Sequence, residues 1–371
     1  MRIVMKHSVS VLMLVLALLL TGCGGWLSGE YSWMESVALP QSPESNQQVF
    51  ASNYSQLRKV LEDMVETGKT QQTISVAEYP ADSLSDDVTG AVATVQRENP
   101  IAAYAVEEIS CEVGTSAGEP VLVIQIAYRH DQTEIRNITT VADHEAAQAA
   151  IARALADCQT GIVLHILHYT PADFAQLVEN YALEHPETVM ELPQVTENVY
   201  PESGEARVVE LKLVYQTSRE SLKAMQSQVS PVFSSAVLYV SGDGAPYEKY
   251  SQLYSFLMER FEYTLQTSIT PAYSLLRHGV GDSKAFAMVY SAMCRQAGLT
   301  CMMVSGTRDG ESHYWNILEV EGNYYHMDLL RCSEEGGFTT RSDEEMAGYV
   351  WDYSAYPACS GPKTICTATE E

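Results

Sequence analysis

At 371 residues the chain has room for two or three domains, and 46% hydrophobic against 19% charged residues is enough for sizeable cores. No stretch concentrates Lys and Arg within a formal net charge of −26, which excludes a nucleic-acid footprint and argues against phosphate-rich partners. Acidity on this scale describes a soluble, exposed protein and assigns no chemistry.

The first residues read as a targeting segment. "MRIVMKH" carries Arg2 and Lys6, and "SVSVLMLVLALLL" is an uncharged apolar run of thirteen residues, too short to span a bilayer comfortably. Next comes Leu20-Thr21-Gly22-Cys23, which resembles the bacterial lipobox. The resemblance implies a signal peptide over residues 1–22 and cleavage before a lipidated Cys23. Carrying more than one acyl chain, Cys23 would anchor the protein to the outer, extracytoplasmic face of the cytoplasmic membrane. The alternative is an ordinary secretory signal with Cys23 as a bystander. Residues 23–52, punctuated by Ser, Gly and Pro, read as a tether. Seven Cys follow Cys23, an odd number. An exported setting permits disulfides, but no CxxC pair and no His/Cys cluster has zinc-like spacing. No metal and no cofactor is expected. His165 and His168 in "LHILHY" read as ordinary strand residues.

Residues 53–241 look like a tandem repeat. "YPADSLSDDVTGAVATVQRENP" compares with "YTPADFAQLVENYALEHP", and "GEPVLVIQIAY" with "GEARVVELKLVY". The landmarks keep their order, with 91 residues from Pro80 to Pro171 and 86 from Gly118 to Gly204. Each unit reads strand, helix, strand, strand, helix, with its third element near 103–113 or 188–198. The closing helices are "TTVADHEAAQAAIARALADC" and "TSRESLKAMQSQV", and the strands after them "GIVLHILHY" and "SSAVLYVS". This alternation predicts an α+β pair of split-βαβ-like modules, a scaffold or a binding module.

The C-terminal part, 242–371, carries the chemistry-bearing pattern. A helix is expected from about Ala245, with Pro246 in its first turn and Leu253, Phe256, Leu257 and Phe261 as its apolar stripe. From Ser283 to Ala297, Phe286, Val289, Tyr290 and Met293 form one apolar face and Ala285, Met288 and Ala292 another, which predicts a buried helix. "GLTCMMVSG" reads as a strand. "HYWNILEV" and "YYHMDL" flank Glu321-Gly322, a two-residue hairpin turn. That register pairs Val320 with Asn323, Trp315 with Asp328 and His313 with Leu330. His313 and Asp328 become diagonal neighbours, within reach of the hydrogen bond that orients an imidazole as a base. His326 reads as a strand residue near the edge, or as a polar group crowding a cleft. Ser342 to Glu345 reads as a helix start with Met346, Tyr349 and Val350 on its apolar side. "WDYSAYPAC" reads as a staple or a groove lining, and Cys332 and Cys359 are candidates to pair across this segment.

Together the buried helix, "GLTCMMVSG", "HYWN" and "GNYYHMDL" resemble the bacterial transglutaminase-like superfamily, over about residues 243–332. The resemblance implies a papain-like fold in which a Cys begins the core helix, a His lies in a His-aromatic-Trp-Asn strand and an Asp closes the next one. His313 and Asp328 take the His and Asp positions. Ser283 occupies the Cys position, so the pattern is broken there. Cys294 cannot replace it, being eleven residues along the same helix, about 16 Å away. A thiol beside a His at a helix start can ionise; a Ser hydroxyl essentially cannot. Three readings stand. The domain is a pseudoenzyme binding peptide or cell-wall material, or Ser283-His313-Asp328 is a serine triad for acyl transfer or amide hydrolysis, or the domain is purely structural.

Overall fold

In the computed structural model, residues 49–240 and 242–360 are described. The expected signal peptide, Cys23, most of the tether and the last residues with Cys366 lie outside them.

Asn53 caps the first described helix, α1 (Tyr54–Thr67), by accepting from Gln56 N–H, and Leu57, Val60, Leu61, Met64 and Val65 form its buried stripe. α1 and α2 (Leu84–Glu98) share a core with an antiparallel sheet of β1 (Gln71–Ser75), β2 (Val106–Ser116) and β3 (Glu119–Tyr128), in the order β1-β3-β2. The strand expected near 103 begins only at Val106. Asn99 and Pro100 instead start a short helix, α3 (Pro100–Ala105), as N-cap and first helical residue.

After α4 (Gln132–Arg136) comes a second sheet of β4 (Thr139–Val141), β5 (Gly161–Ile166), β6 (Gln194–Tyr200) and β7 (Arg207–Val214), ordered β4-β5-β7-β6. α5 (His144–Ala156) and α6 (Phe174–Glu184) supply its apolar cover. "TTV", expected to be helical, is the edge strand β4, because Asp143 caps α5 and starts it later.

The expected strand "SSAVLYVS" does not form. α7 (Arg219–Tyr239) continues through Pro231 to Tyr239. The Ser234 and Ser235 hydroxyls donate back to Ser230 O and Pro231 O, while Phe233 and Ala236 bury in a core shared with the C-terminal helices. Burial on one helical face outweighs the β-branched tail's strand preference.

α8 (Pro246–Met258) starts at the expected proline. A parallel pair, β8 (Glu262–Tyr263) and β9 (Val280–Gly281), leads into α9 (Ser283–Gln296), which is buried nearly all round. Beyond it lies a sheet ordered β12-β11-β10-β13, from β10 (Cys301–Arg308), β11 (Glu311–Val320), β12 (Asn323–Met327) and β13 (Tyr349–Trp351), with α10 (Leu329–Glu334) after β12. Alternation along β11 splits its side chains. Leu318 and Val320 join the α9 core, while Trp315 and Ile317 pack with Met346, Tyr349, Trp351 and Cys359. The helix expected at 342 is one 3-10 turn, Asp343–Glu345, closed by a Ser342/Glu345 capping box. Gly348, at φ +85°, then redirects the chain into β13.

All six described Cys are free thiols. Cys332 and Cys359 do not pair because they serve different cores. Cys332 is buried with α8 and α9, and Cys359 lies on the other face of the sheet. The described residues from Phe50 onward form one compact unit, in which Cys158 and Met190 of the second αβ unit enter the α9 core. Among the described residues no helix is long and apolar enough to cross a membrane.

Gly306 pairs with His313 on one side and Trp351 on the other. A Cβ there would collide with Val350 O and the Trp315 ring. Gly306→Ala is expected to cost about 1–3 kcal/mol by overpacking, measured as a lower urea midpoint with a loosened Trp environment in near-UV circular dichroism.

Candidate active site at the start of the core helix

The approach to Ser283 is set by local sequence. A π-helical turn, Ser274–His278, ends at Gly279 in the left-handed region, φ +82°. At Gly281 any Cβ would press on Ala285 and Leu275, so only glycine lets the chain turn this tightly into the helix. Asp282 Oδ1 then accepts from Ala285 N–H at 2.9 Å, which makes Ser283 the first helical residue.

The hairpin delivers the other two residues. Glu321 and Gly322 both have positive φ, and Val320 faces Asn323 as expected. The ladder ends at Asn316 opposite Met327, so the expected Trp315–Asp328 and His313–Leu330 pairs do not form. Asp328 leaves the strand and becomes the N-cap of α10, its Oδ1 accepting from Leu330 N–H and Arg331 N–H at 3.0 and 3.4 Å. The contact that mattered survives, since His313 Nε2 lies 2.7 Å from Asp328 Oδ2.

His313 and Asp328 therefore meet, and Ser283 lies against the Tyr314 backbone next to His313, the three being 7%, 1% and 6% exposed. Asn316 Nδ2 donates to Ala287 O at 3.0 Å and pins the helix to β11. The Ser283 hydroxyl oxygen accepts from Tyr314 backbone N–H at 3.3 Å. Among the described residues no hydrogen bond joins it to His313. With Nε2 donating to Asp328, the neutral imidazole carries its lone pair on Nδ1, the nitrogen left for a reacting group.

Two partners of Asp328 had no sequence signal. Tyr349 OH donates to Oδ2 at 2.6 Å, and the Arg308 guanidinium stands 3.9 Å away. Burial pushes the Asp328 carboxyl upward, but the His313 bond and charge, then Tyr349 and Arg331 N–H, outweigh it and hold it below its ordinary value. Tyr349 is separated from Asp328 by a helix and an irregular loop, so no spacing rule points to it.

His326 lies on the edge strand β12, as expected, but it is fully buried and is not part of this site. Trp315 Nε1–H donates to its Nδ1 at 2.9 Å, which leaves the proton on Nε2, 2.9 Å from Asp343 Oδ1. His326 Nε2, an Asp343 oxygen and Cys359 Sγ lie within 4.8 Å of one another. A cation there would need the Nε2 lone pair, and the Trp315 bond forces a proton onto that atom. The Cys359 thiol is pushed up to about 12 by burial and by Asp343. Cys294 sits buried far along α9, its thiol raised by desolvation, and takes no part.

Residues 235–329 match the family model of the Transglutaminase-like superfamily. The chain carries a transglutaminase-like domain. Three solved structures are similar at low identity. A TGase crystal structure aligns at 11% identity and TM-score 0.26 over 52% of this chain and 58% of its own. A candidate cysteine protease from Cytophaga hutchinsonii aligns at 14% and 0.26, over 43% and 70%. A candidate protease from Parabacteroides distasonis aligns at 10% and 0.22, over 57% and 47%. The chain thus spans little more than half the length of the first of these. No curated protein is significantly similar to the chain.

Tyr349→Phe removes a hydrogen bond to a buried charge and is expected to cost about 1.5–3 kcal/mol, read from urea midpoints. The pH dependence of stability comes from two groups. Asp328, held below its unfolded 3.8, contributes stability above that value and loses it as pH falls through the folded pKa. His326, lowered from 6.5 by burial with Asp343 opposing, contributes above 6.5 and loses it as pH falls below. The wild-type midpoint is expected to decline from about pH 6.5 downward, and the decline between pH 6.5 and 5 is expected to shrink in His326→Gln.

Proposed function

We propose that the transglutaminase-like domain is a pseudoenzyme that holds peptide-like or cell-wall material beside Ser283 without turning it over, displayed outside the cell by lipidated Cys23. One observation carries this reading. The Ser283 oxygen accepts from Tyr314 N–H and, among the described residues, makes no hydrogen bond to the imidazole, whereas a serine nucleophile depends on a base within hydrogen-bond reach. The second reading, a working Ser283-His313-Asp328 triad for acyl transfer or amide hydrolysis, is favoured by the completeness of the His313–Asp328 half. The matching strand orders β1-β3-β2 and β5-β7-β6, each antiparallel throughout, support reading 53–241 as two copies of one split-βαβ-like module.

Intact-mass analysis after exposure to a fluorophosphonate decides between the two. The wild type is expected to stay unmodified. An adduct that disappears in Ser283→Ala would make the serine-enzyme reading the correct one. Ser283→Cys is expected to gain rapid alkylation by iodoacetamide at position 283, slowed about 10²–10⁴-fold by adding His313→Ala. A Cys23→Ser form is expected to lose both incorporation of a palmitate analogue and membrane association in a bacterial host that lipidates exported proteins.

A further inference from the structure

A cleft of about 160 Å³ opens beside the first turn of α9, between the C-terminal domain and the second αβ unit. Leu183, Met190 and Leu192 come from the αβ unit, Ile269 from the segment after β8, and Lys284 and Met288 from α9. The wall mixes these apolar side chains with Glu191, Gln216 and Ser268, and two of its apolar members are unusually exposed, Leu192 at 39% and Ile269 at 52%. Glu191 also borders the cleft, but both its carboxylate oxygens accept backbone N–H groups, from Gln216 and Thr217, so its charge is committed inward.

Lys284 is different. It makes no hydrogen bond and no ion pair among the described residues, and its ammonium rests 5.6 Å from the centroid of the Tyr314 ring. Tyr314 is the residue whose N–H holds Ser283. A cation without an ion-pair partner among the described residues thus lines the cleft beside the candidate active site, in a chain whose net charge is −26. Any anion must overcome that background repulsion, and a local cation at the cleft is the feature that selects one. The αβ unit is fixed in place as a wall. Arg295 of α9 pairs with Glu187 at 2.7 Å, and Met190 is buried in the α9 core.

We infer that the second αβ unit and α9 together form a binding subsite for an acidic peptide, one that places an aliphatic side chain in the cleft and a carboxylate against Lys284. The inference rests on the proposed binding role of the domain and supplies its ligand class. The volume suits one aliphatic side chain, and Lys284 is the cation among the lining residues that a carboxylate can meet.

Photo-crosslinking of the full chain tests this without any chemistry at Ser283, so its failure is distinguishable from failure of the site reading above. The probe is N-acetyl-photoleucyl-glutamate, compared with its glutamine counterpart. The expected result is label on residues 182–192 and 268–271, several-fold stronger for the glutamate probe. Lys284→Gln is expected to erase the difference between the probes, and Ile269→Trp, which fills the cleft, to suppress labelling by both. Label spread over other surfaces, or equal labelling by the two probes in the wild type, overturns the subsite.

Discussion

The Asp328 carboxylate is the point on which the C-terminal domain hangs. It is 1% exposed, and taking a carboxylate out of water costs several kcal/mol unless its lone pairs are satisfied. Here Oδ1 starts α10 through two backbone N–H groups, while Oδ2 accepts from His313 of β11 and Tyr349 of β13. One side chain therefore fixes a helix start, the inner hairpin strand and the outer edge strand relative to one another. Gly306 lets β13 come close enough for Tyr349 to take part, because no side chain intrudes between Trp315 and Val350. The imidazole gains a defined tautomer as a by-product of this structural junction. That is why an assembled His–Asp pair does not by itself prove catalysis.

The start of α9 lies against the backbone of Tyr314, the residue after His313. A helix start offers free N–H groups and the positive end of the dipole, which favours an ionised thiolate far more than a hydroxyl that must be deprotonated during attack. Asp282 already places one carboxylate at this end of α9. Tyr314 N–H already occupies the Ser283 oxygen. These two contacts make Ser283 a well-seated helix residue, in keeping with the proposed binding role.

The αβ units acquire meaning from how the second one is attached. An independent spacer would share no core with the C-terminal domain. Instead Cys158 and Met190 enter the α9 core, Glu187 pairs with Arg295, and α7 packs along α8 and α9. An element held this firmly can present a surface of fixed shape next to the first turn of α9.

Local rules in the sequence determined much of this. The all-round apolar pattern from Phe286 to Met293 required a buried helix, Pro246 marked the start of another, and Glu321-Gly322 set the hairpin register at Val320–Asn323. Order and spacing were enough to anticipate the His313–Asp328 hydrogen bond and a Ser283 at the start of the buried helix, because each lies near an end of an element whose type is locally encoded. What local rules could not supply was any interaction closed by packing. The tail of α7 is helical because Phe233 and Ala236 meet a core that the local sequence does not contain. Asp328 caps a helix where alternation predicted strand, His326 is buried by Trp315 and Asp343, and Tyr349 reaches Asp328 from 21 residues further along the chain. Local encoding thus extends to which residues lie near the start of α9. Their hydrogen-bonding, and hence whether the hydroxyl faces a base, is settled by packing alone, because it depends on donors brought in from distant segments.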